Sequence, residues 1–260
     1  MSVLDTFSMQ GKVAVVTGGA GKYGRQIVKA LAEAGAKTYF TSSRNDQLHE
    51  LELKFRESGH DAKAVYMEQG DEASVIACKE TIMEAEGRID VLVNNAVARV
   101  MKGGWQAPLE LFAASMQVNA TGLFAVTRAF GDVMAAQGSG SIINVGSMYG
   151  VVGPDFSMYE GLNMSSSPDY YFHKSGMINF TRFVASYYGP SAVRCNCISP
   201  GGYWTPETSE QFVSRYEKRT FLGRMANDSD LQGLIVFLAS DASLYVTGTN
   251  ISVDGGYTAK

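Results

Sequence analysis

The stretch Val13-Ala14-Val15-Val16-Thr17-Gly18-Gly19-Ala20-Gly21-Lys22-Tyr23-Gly24 decides the fold. A short apolar run passes directly into a glycine-rich turn, and a segment of helical period follows in which Ile27, Leu31 and Ala34 share one stripe. Glycines let a backbone approach a pyrophosphate, and a helix N-terminus offers it unpaired N–H groups and positive dipole. Gly18, Gly21, Lys22, Tyr23 and Gly24 are therefore candidates for gripping a dinucleotide. A plain glycine turn is the bland alternative, and its place after the first strand of a parallel sheet weighs against it.

The alternation continues along the chain. Val13 to Thr17, Thr38 to Thr41, Ala64 to Met67, Val91 to Val93, Ser141 to Val145, Val193 to Ile198 and Asn250 to Val253 read as strands. Leu48, Leu51 and Phe55, and later Val75, Ile82 and Ala85, mark helical stripes between them. Strand and helix in repeated alternation predict an α/β fold, a parallel sheet with helices on both faces. With no repeat, low-complexity tract or linker, residues 1–260 read as a single domain.

Composition narrows the function classes. A net charge of −4 with no run of Lys or Arg argues against a nucleic-acid or anionic-membrane surface and favours a small-molecule substrate. Apolar runs stop short of the roughly 18 residues of a membrane span, and Asp5 sits where a basic, apolar leader would be, so a cytoplasmic protein is expected. Cys195 and Cys197 share one face of a strand and read as packing rather than metal ligands; no metal is expected.

At the end of the second strand an acidic residue would grip a ribose 2′-hydroxyl, but the chain reads Thr41-Ser42-Ser43-Arg44. Two hydroxyls and a guanidinium suit a 2′-phosphate, which favours NADP over NAD. The alternative is that Arg44 and Asn45 only open the next helix and both cofactors are tolerated.

Tyr170 and Lys174 stand one helical turn apart, on one face. A cation beside a phenol draws its pKa below the ordinary value of roughly 10, making Tyr170 a candidate acid/base. That spacing alone is weak. It gains weight from Asn94-Asn95-Ala96 after the fourth strand, Asn119 in a helix, Ser147 closing the fifth strand and Pro200-Gly201-Gly202 after the sixth.

Together these motifs resemble the short-chain dehydrogenase/reductase family, in its single-domain branch, over essentially the whole chain through Val253-Asp254-Gly255-Gly256. The resemblance implies a Rossmann-type doubly wound sheet of seven parallel strands, an NAD(P) cofactor and a homotetramer or homodimer. It implies that Tyr170 is the acid/base, that Lys174 lowers its pKa and holds the nicotinamide ribose, and that Ser147 bonds the reacting oxygen. Asn119 would position a water in a relay to Lys174. Asn95, Ala96, Pro200 and Gly201 would line the cofactor, with Thr205 near its carboxamide and Glu68 near the adenine.

The chain departs from the family pattern at Lys22, where the loop usually has its second glycine, and at Val97, where glycine follows Asn-Asn-Ala. A larger departure is the 22 residues between Ser147 and Tyr170, against about a dozen in the family. The insert carries Tyr159, Glu160 and Asn163 and resembles inserts of members acting in carbohydrate metabolism. A sugar, sugar acid or related polyol is the expected substrate, with Ser147, Tyr159, Tyr171 and Tyr203 as candidate contacts. The alternative is that the insert packs against a neighbouring subunit.

Two other functions fit the chain less well. A 3-oxoacyl-thioester (acyl carrier protein) ketoreductase needs room for a pantetheine arm and a basic docking patch, and no such cluster is visible. A dinucleotide-binding sensor or scaffold would not require Asn119, Ser147, Tyr170 and Lys174 together. His173 and Tyr187 and Tyr188 read as structural, and Asp71 with Ser74 as a helix cap.

Overall fold

The computed structural model describes residues 2–259, apart from the side chains of residues 45–47. Its strands are β1 (Val13–Val16), β2 (Lys37–Ser42), β3 (Ala62–Tyr66), β4 (Val91–Asn94), β5 (Gly140–Val145), β6 (Val193–Pro200) and β7 (Asn250–Val253). They form one parallel sheet in the order β3-β2-β1-β4-β5-β6-β7. All seven predicted strands are present, with ends shifted by one or two residues. In register, Ala14 pairs with Thr38 on one side and Val91 on the other.

Among the described residues eight α-helices flank the sheet: α1 (Lys22–Glu33), α2 (Asn45–Glu57), α3 (Glu72–Glu86), α4 (Leu109–Met116), α5 (Leu123–Gln137), α6 (Pro168–Tyr188), α7 (Glu210–Glu217) and α8 (Gln232–Ala239). One apolar layer joins Ile27, Leu31, Phe55 and Ile235 to one face of the strands, and another joins Ile82, Phe130, Met134 and Val184 to the opposite face. Strands covered on both faces must be apolar throughout, which is why β1 and β4 read as unbroken hydrophobic runs. Between β1 and β4 the winding reverses, and the crevice beyond their carboxyl ends is where such sheets hold ligands.

The connection from β4 to β5 is one long helical run, Leu109–Gln137, broken by a π-helical segment, Gln117–Gly122. By length and a mean hydropathy of 1.2 it reaches the threshold of a membrane span. Its Val126, Phe130 and Met134 are buried against the sheet, as expected of a core helix.

Helix α6, which carries Tyr170 and Lys174, opens with Pro168 at its first turn, after an extended Ser167, and with Asp169 near its positive end. Asp71 caps α3 through Ala73 N–H at 3.0 Å, as predicted, but Ser74 instead accepts the N–H of Glu68 at 2.9 Å.

The insert between β5 and α6 packs on its own chain. Met158 is fully buried with Met148, Phe212, Tyr216 and Met225. Arg215 donates to the carbonyls of Met158 and Glu160 at 3.1 and 2.7 Å, and Arg219 pairs with Asp155. The two methionines give the insert a small core against α7.

Candidate active site

A cleft of about 1210 Å³ runs along the carboxyl ends of the central strands. At one end lies the glycine turn. Gly18 adopts φ +62°, and a Cβ there would stand 2.7 Å from the Cα of Ala96, so only glycine lets this loop lie against the end of β4. Gly24 is closer still: a Cβ would meet the carbonyl oxygen of Gly18 at 2.3 Å. Gly24 therefore supports the loop from behind rather than lining the cleft. Gly21 is the N-cap of α1 and no side chain caps this helix start, so its first N–H groups stay open to an anion. Lys22 begins the helix without distorting it. A dinucleotide fits this cradle.

Thr17 and Asn95 pin the floor of the cleft. Thr17 Oγ1 accepts from the N–H groups of Asn95 and Ala96 at 3.0 and 2.9 Å, and the Asn95 amide donates to the carbonyls of Thr17 and Gly18 at 3.1 and 2.9 Å. Tyr23 closes the far wall by donating to Gly201 O at 2.9 Å. Ser42, Ser43, Arg44, Glu68, Ala96, Pro200 and Gly201 also line the cleft.

At the other end the chemistry gathers. Lys174 is buried and donates to Val145 O at 2.5 Å, its Nζ 5.8 Å from the centroid of the Tyr170 ring. Burial pushes the Lys174 ammonium below its ordinary range, although Tyr170 opposes the shift. Burial alone would raise the Tyr170 phenol; the charges of Lys174 and Arg99 and a hydrogen bond with Ser147 outweigh it and hold the phenol below its ordinary value. Ser147 is buried at the mouth of β5, where its Oγ accepts the N–H of Tyr149 at 3.1 Å.

Four predicted residues sit elsewhere. Asn119, in the π-helical segment, brackets Ala98: its Oδ1 accepts the Ala98 N–H at 2.9 Å and its Nδ2 donates to Ala98 O at 2.8 Å and Ser115 Oγ at 3.0 Å. With both ends of its amide engaged, the side chain positions the loop after β4, and Val97 is carried by that clamp in place of glycine. Thr205 lies off the cleft because the preceding chain is tied to Ala226 through Trp204 N–H at 2.9 Å. Tyr171 is rotated off the catalytic face. Its hydroxyl meets Ser166 Oγ at 2.6 Å, and it lines a smaller neighbouring cleft with Trp105 and Phe156. Tyr203 lines the main cleft on the cofactor side, packed edge-on to Tyr23, with its hydroxyl bonded to Asp228. Of the four tyrosine and serine contacts expected for substrate, Ser147 and Tyr159 remain at the reactive end.

Comparison with known proteins agrees with this geometry. The family model described as Enoyl-(Acyl carrier protein) reductase matches residues 22–258. The chain belongs to the short-chain dehydrogenase/reductase family. A cyclopentanol dehydrogenase of Comamonas sp. is 31% identical over 95% of this chain and 97% of its own. A cis-4-hydroxycyclohexanecarboxylate dehydrogenase of Sinomonas cyclohexanicum is 34% identical over 95% and 97%. The crystal structure of a gluconate 5-dehydrogenase from Burkholderia cenocepacia J2315, in complex with NADP and tartrate, superposes with a TM-score of 0.88 at 28% identity over the full length of both chains. This short-chain dehydrogenase/reductase is thus a nicotinamide-dependent oxidoreductase of CH–OH groups.

Sequence reasoning missed several residues of the dehydrogenase site. Arg99 stacks on Tyr170, its guanidinium carbon 4.2 Å from the ring centroid. Its only signal was its place four residues after Asn95. Tyr149 lines the reactive end and bonds Tyr159 through their hydroxyls at 2.7 Å. Behind the catalytic face, buried Ser115 donates to Asp169 Oδ2 at 2.5 Å, linking the Asn119 clamp to the first turn of α6.

His173, read as structural, is buried behind Tyr170 with no hydrogen-bond partner for either ring nitrogen among the described residues. Burial, aided by Lys174 and Arg99 and opposed by Asp169, lowers its pKa to about 3. An unfolded histidine titrates near 6.5, so between about pH 3 and 6.5 the unfolded chain takes a proton the folded chain refuses. Its stabilising contribution is whole above pH 6.5 and falls as pH drops, by up to ~1.4 kcal/mol per unit. We expect urea unfolding of His173→Leu to lose about 2–3 kcal/mol less than wild type between pH 6.5 and 4.5. Parallel pH dependences for the two proteins would refute this.

Proposed function

We propose that this protein interconverts a secondary alcohol and its ketone on a sugar, sugar acid or related polyol, with Tyr170 as acid/base. The observation that carries the reading is the convergence of Lys174, Arg99 and Ser147 on a phenol held below its ordinary pKa at one end of a dinucleotide-shaped cleft. When bound, the nicotinamide supplies or accepts the hydride. Tyr170 takes the hydroxyl proton during oxidation and returns one to the alkoxide during reduction. Lys174 stabilises the phenolate, and Ser147 offers a fixed dipole where negative charge develops on the reacting oxygen.

The carbohydrate reading is supported by Tyr149 and Tyr159 at the reactive end and by the likeness to a gluconate 5-dehydrogenase. A panel of sugars, sugar acids, cyclic alcohols and acyl thioesters, followed at the nicotinamide absorbance, tests it. Preference for a 3-oxoacyl thioester would replace the reading with that of an acyl-thioester ketoreductase.

Oxidation needs the phenolate and reduction the phenol. We expect kcat/KM for oxidation to rise with pH to a plateau through an ionisation below about 10, and for reduction to fall above the same point. Limbs at or above pH 10 in both directions would remove Lys174 and Arg99 as the cause.

NADP is proposed as the preferred cofactor because Ser42, Ser43 and Arg44 line the cleft beyond β2 and Arg44 is exposed there. Fluorescence titration should show NADPH binding tighter than NADH, with Arg44→Ala narrowing the gap about tenfold, the worth of roughly 1.4 kcal/mol from a charge-assisted contact. Tighter binding of NADH would reverse the assignment. A homotetramer or homodimer is proposed from the aromatic surface of α5 and α6, where Phe124, Phe183 and Tyr187 are exposed. Light scattering on the purified protein tests it, and a monomer at micromolar concentration would discard it.

A further inference from the structure

We infer that the substrate carries a carboxylate and that Arg99 is its receptor. This deepens the alcohol–ketone reading above and rests on it. Arg99 is exposed in the cleft, against the ring of Tyr170 at 4.2 Å, and has no acidic partner among the described residues. It is not on a slack loop. The preceding residue, Ala98, is bracketed by two hydrogen bonds from buried Asn119, at 2.9 and 2.8 Å, so the backbone that delivers the guanidinium is held in place.

The distribution of charge in the cleft favours the same conclusion. Lys22 and Arg44 lie on the cofactor side, where phosphates account for them. Arg99 lies on Tyr170 at the reactive end, and Lys102, three residues on, also lines the cleft. Neither acid of the cleft pairs with them among the described residues: Glu68 lies after β3 on the adenine side, and Asp169 is buried with one carboxylate oxygen on Ser115 at 2.5 Å and the other unpartnered. A chain of net charge −4 thus turns cations toward the place where substrate must sit. A neutral alcohol would leave the guanidinium, engaged only with Tyr170 among the described residues, without a counter-charge. A carboxylate would satisfy it with two parallel charge-assisted hydrogen bonds, fixing the reacting carbon next to the phenol.

Arg99 also has a plainer use, lowering the pKa of Tyr170 through its charge. The two uses separate experimentally, since an effect through Tyr170 falls equally on every substrate. The test is calorimetric binding to the enzyme saturated with oxidised NADP, alongside steady-state kinetics. The probes are lactate, tartrate, gluconate and 4-hydroxycyclohexanecarboxylate, each with its neutral alcohol counterpart, on wild type, Arg99→Gln and Arg99→Lys. At least one acid should bind 10-fold or more tighter than its neutral counterpart. Arg99→Gln should weaken binding of the acid roughly 10- to 100-fold, as expected for losing a charged hydrogen-bonding partner, while weakening binding of the neutral counterpart little; the loss of kcat that runs through Tyr170 should be the same for both. Arg99→Lys should recover part of the loss.

Equal binding of acids and neutral alcohols, equal losses of binding on both in Arg99→Gln, or no acid binding at all would each overturn the inference. Arg99-dependent acid binding without turnover of any alcohol would leave the inference standing and remove the alcohol–ketone reading. Turnover of neutral alcohols with no preference for acids would do the reverse.

Discussion

Tyr170→Phe should leave a folded protein that binds NADPH within a few-fold of wild type and turns over about 10²–10⁴-fold more slowly, the usual worth of a positioned acid/base. The ring itself has structural neighbours, with His173 at 5.3 Å and the Arg99 guanidinium at 4.2 Å, and phenylalanine keeps both contacts. What it removes is the one group at the cleft's end whose proton affinity Lys174, Arg99 and Ser147 jointly adjust. The loss should fall on kcat, because the proton moves only in the reaction step. Single-turnover kinetics with saturating cofactor would check this. Retention of a tenth or more of wild-type turnover would hand the acid/base role to another group.

Gly24→Ala carries the second large effect, on cofactor rather than chemistry. The added methyl would stand 2.3 Å from Gly18 O and 2.8 Å from the Cα of Gly19, both backbone atoms that no rotamer change can move. The glycine turn must shift bodily, and overpacking of this kind costs about 1–3 kcal/mol. For a chain of this size that corresponds to a melting point lower by roughly 2–12 °C. Displacing the turn also misaligns the open N–H groups at the start of α1. Losing about two charge-assisted hydrogen bonds to a pyrophosphate, at roughly 1.5–3 kcal/mol each, should weaken NADPH binding by 100-fold or more. A thermal melt and a fluorescence titration on the same sample would check both halves. Unchanged cofactor affinity at a lowered melting point would make Gly24 a packing residue alone.

The fold was legible because a doubly wound sheet writes itself into local pattern. Each strand is buried on both faces, so Val13 to Val16 and Val91 to Val93 stand out as continuous apolar runs between segments of helical period. The catalytic helix was legible for a related reason, since Tyr170 and Lys174 express their contact through helical spacing alone. Contacts between distant segments left no such trace. Arg99 reaches Tyr170 across 71 positions of sequence, and the Asn119 amide reaches Ala98 across 21. Two substrate candidates lie away from the reactive end where helix phase or a loop tie intervenes: Tyr171 differs from Tyr170 by about 100° of rotation, and the chain just after Tyr203 is tied to Ala226. The insert showed its composition but not its partner, because Met158 packs on residues more than fifty positions later.

The loop after β4 joins functions usually kept apart. Asn95 and Ala96 hold the floor of the cleft proposed for the dinucleotide, three residues later Arg99 overhangs the phenol, and the amide of Asn119 clamps the chain between them. So short and so tightly held a segment cannot shift at one end without disturbing the other. Cofactor and substrate should therefore be thermodynamically linked, each changing the other's affinity by the same factor. For anyone reshaping this enzyme, residues 95–99 are one mechanical unit, and a change of substrate preference made there will be read out as a change in cofactor affinity as well.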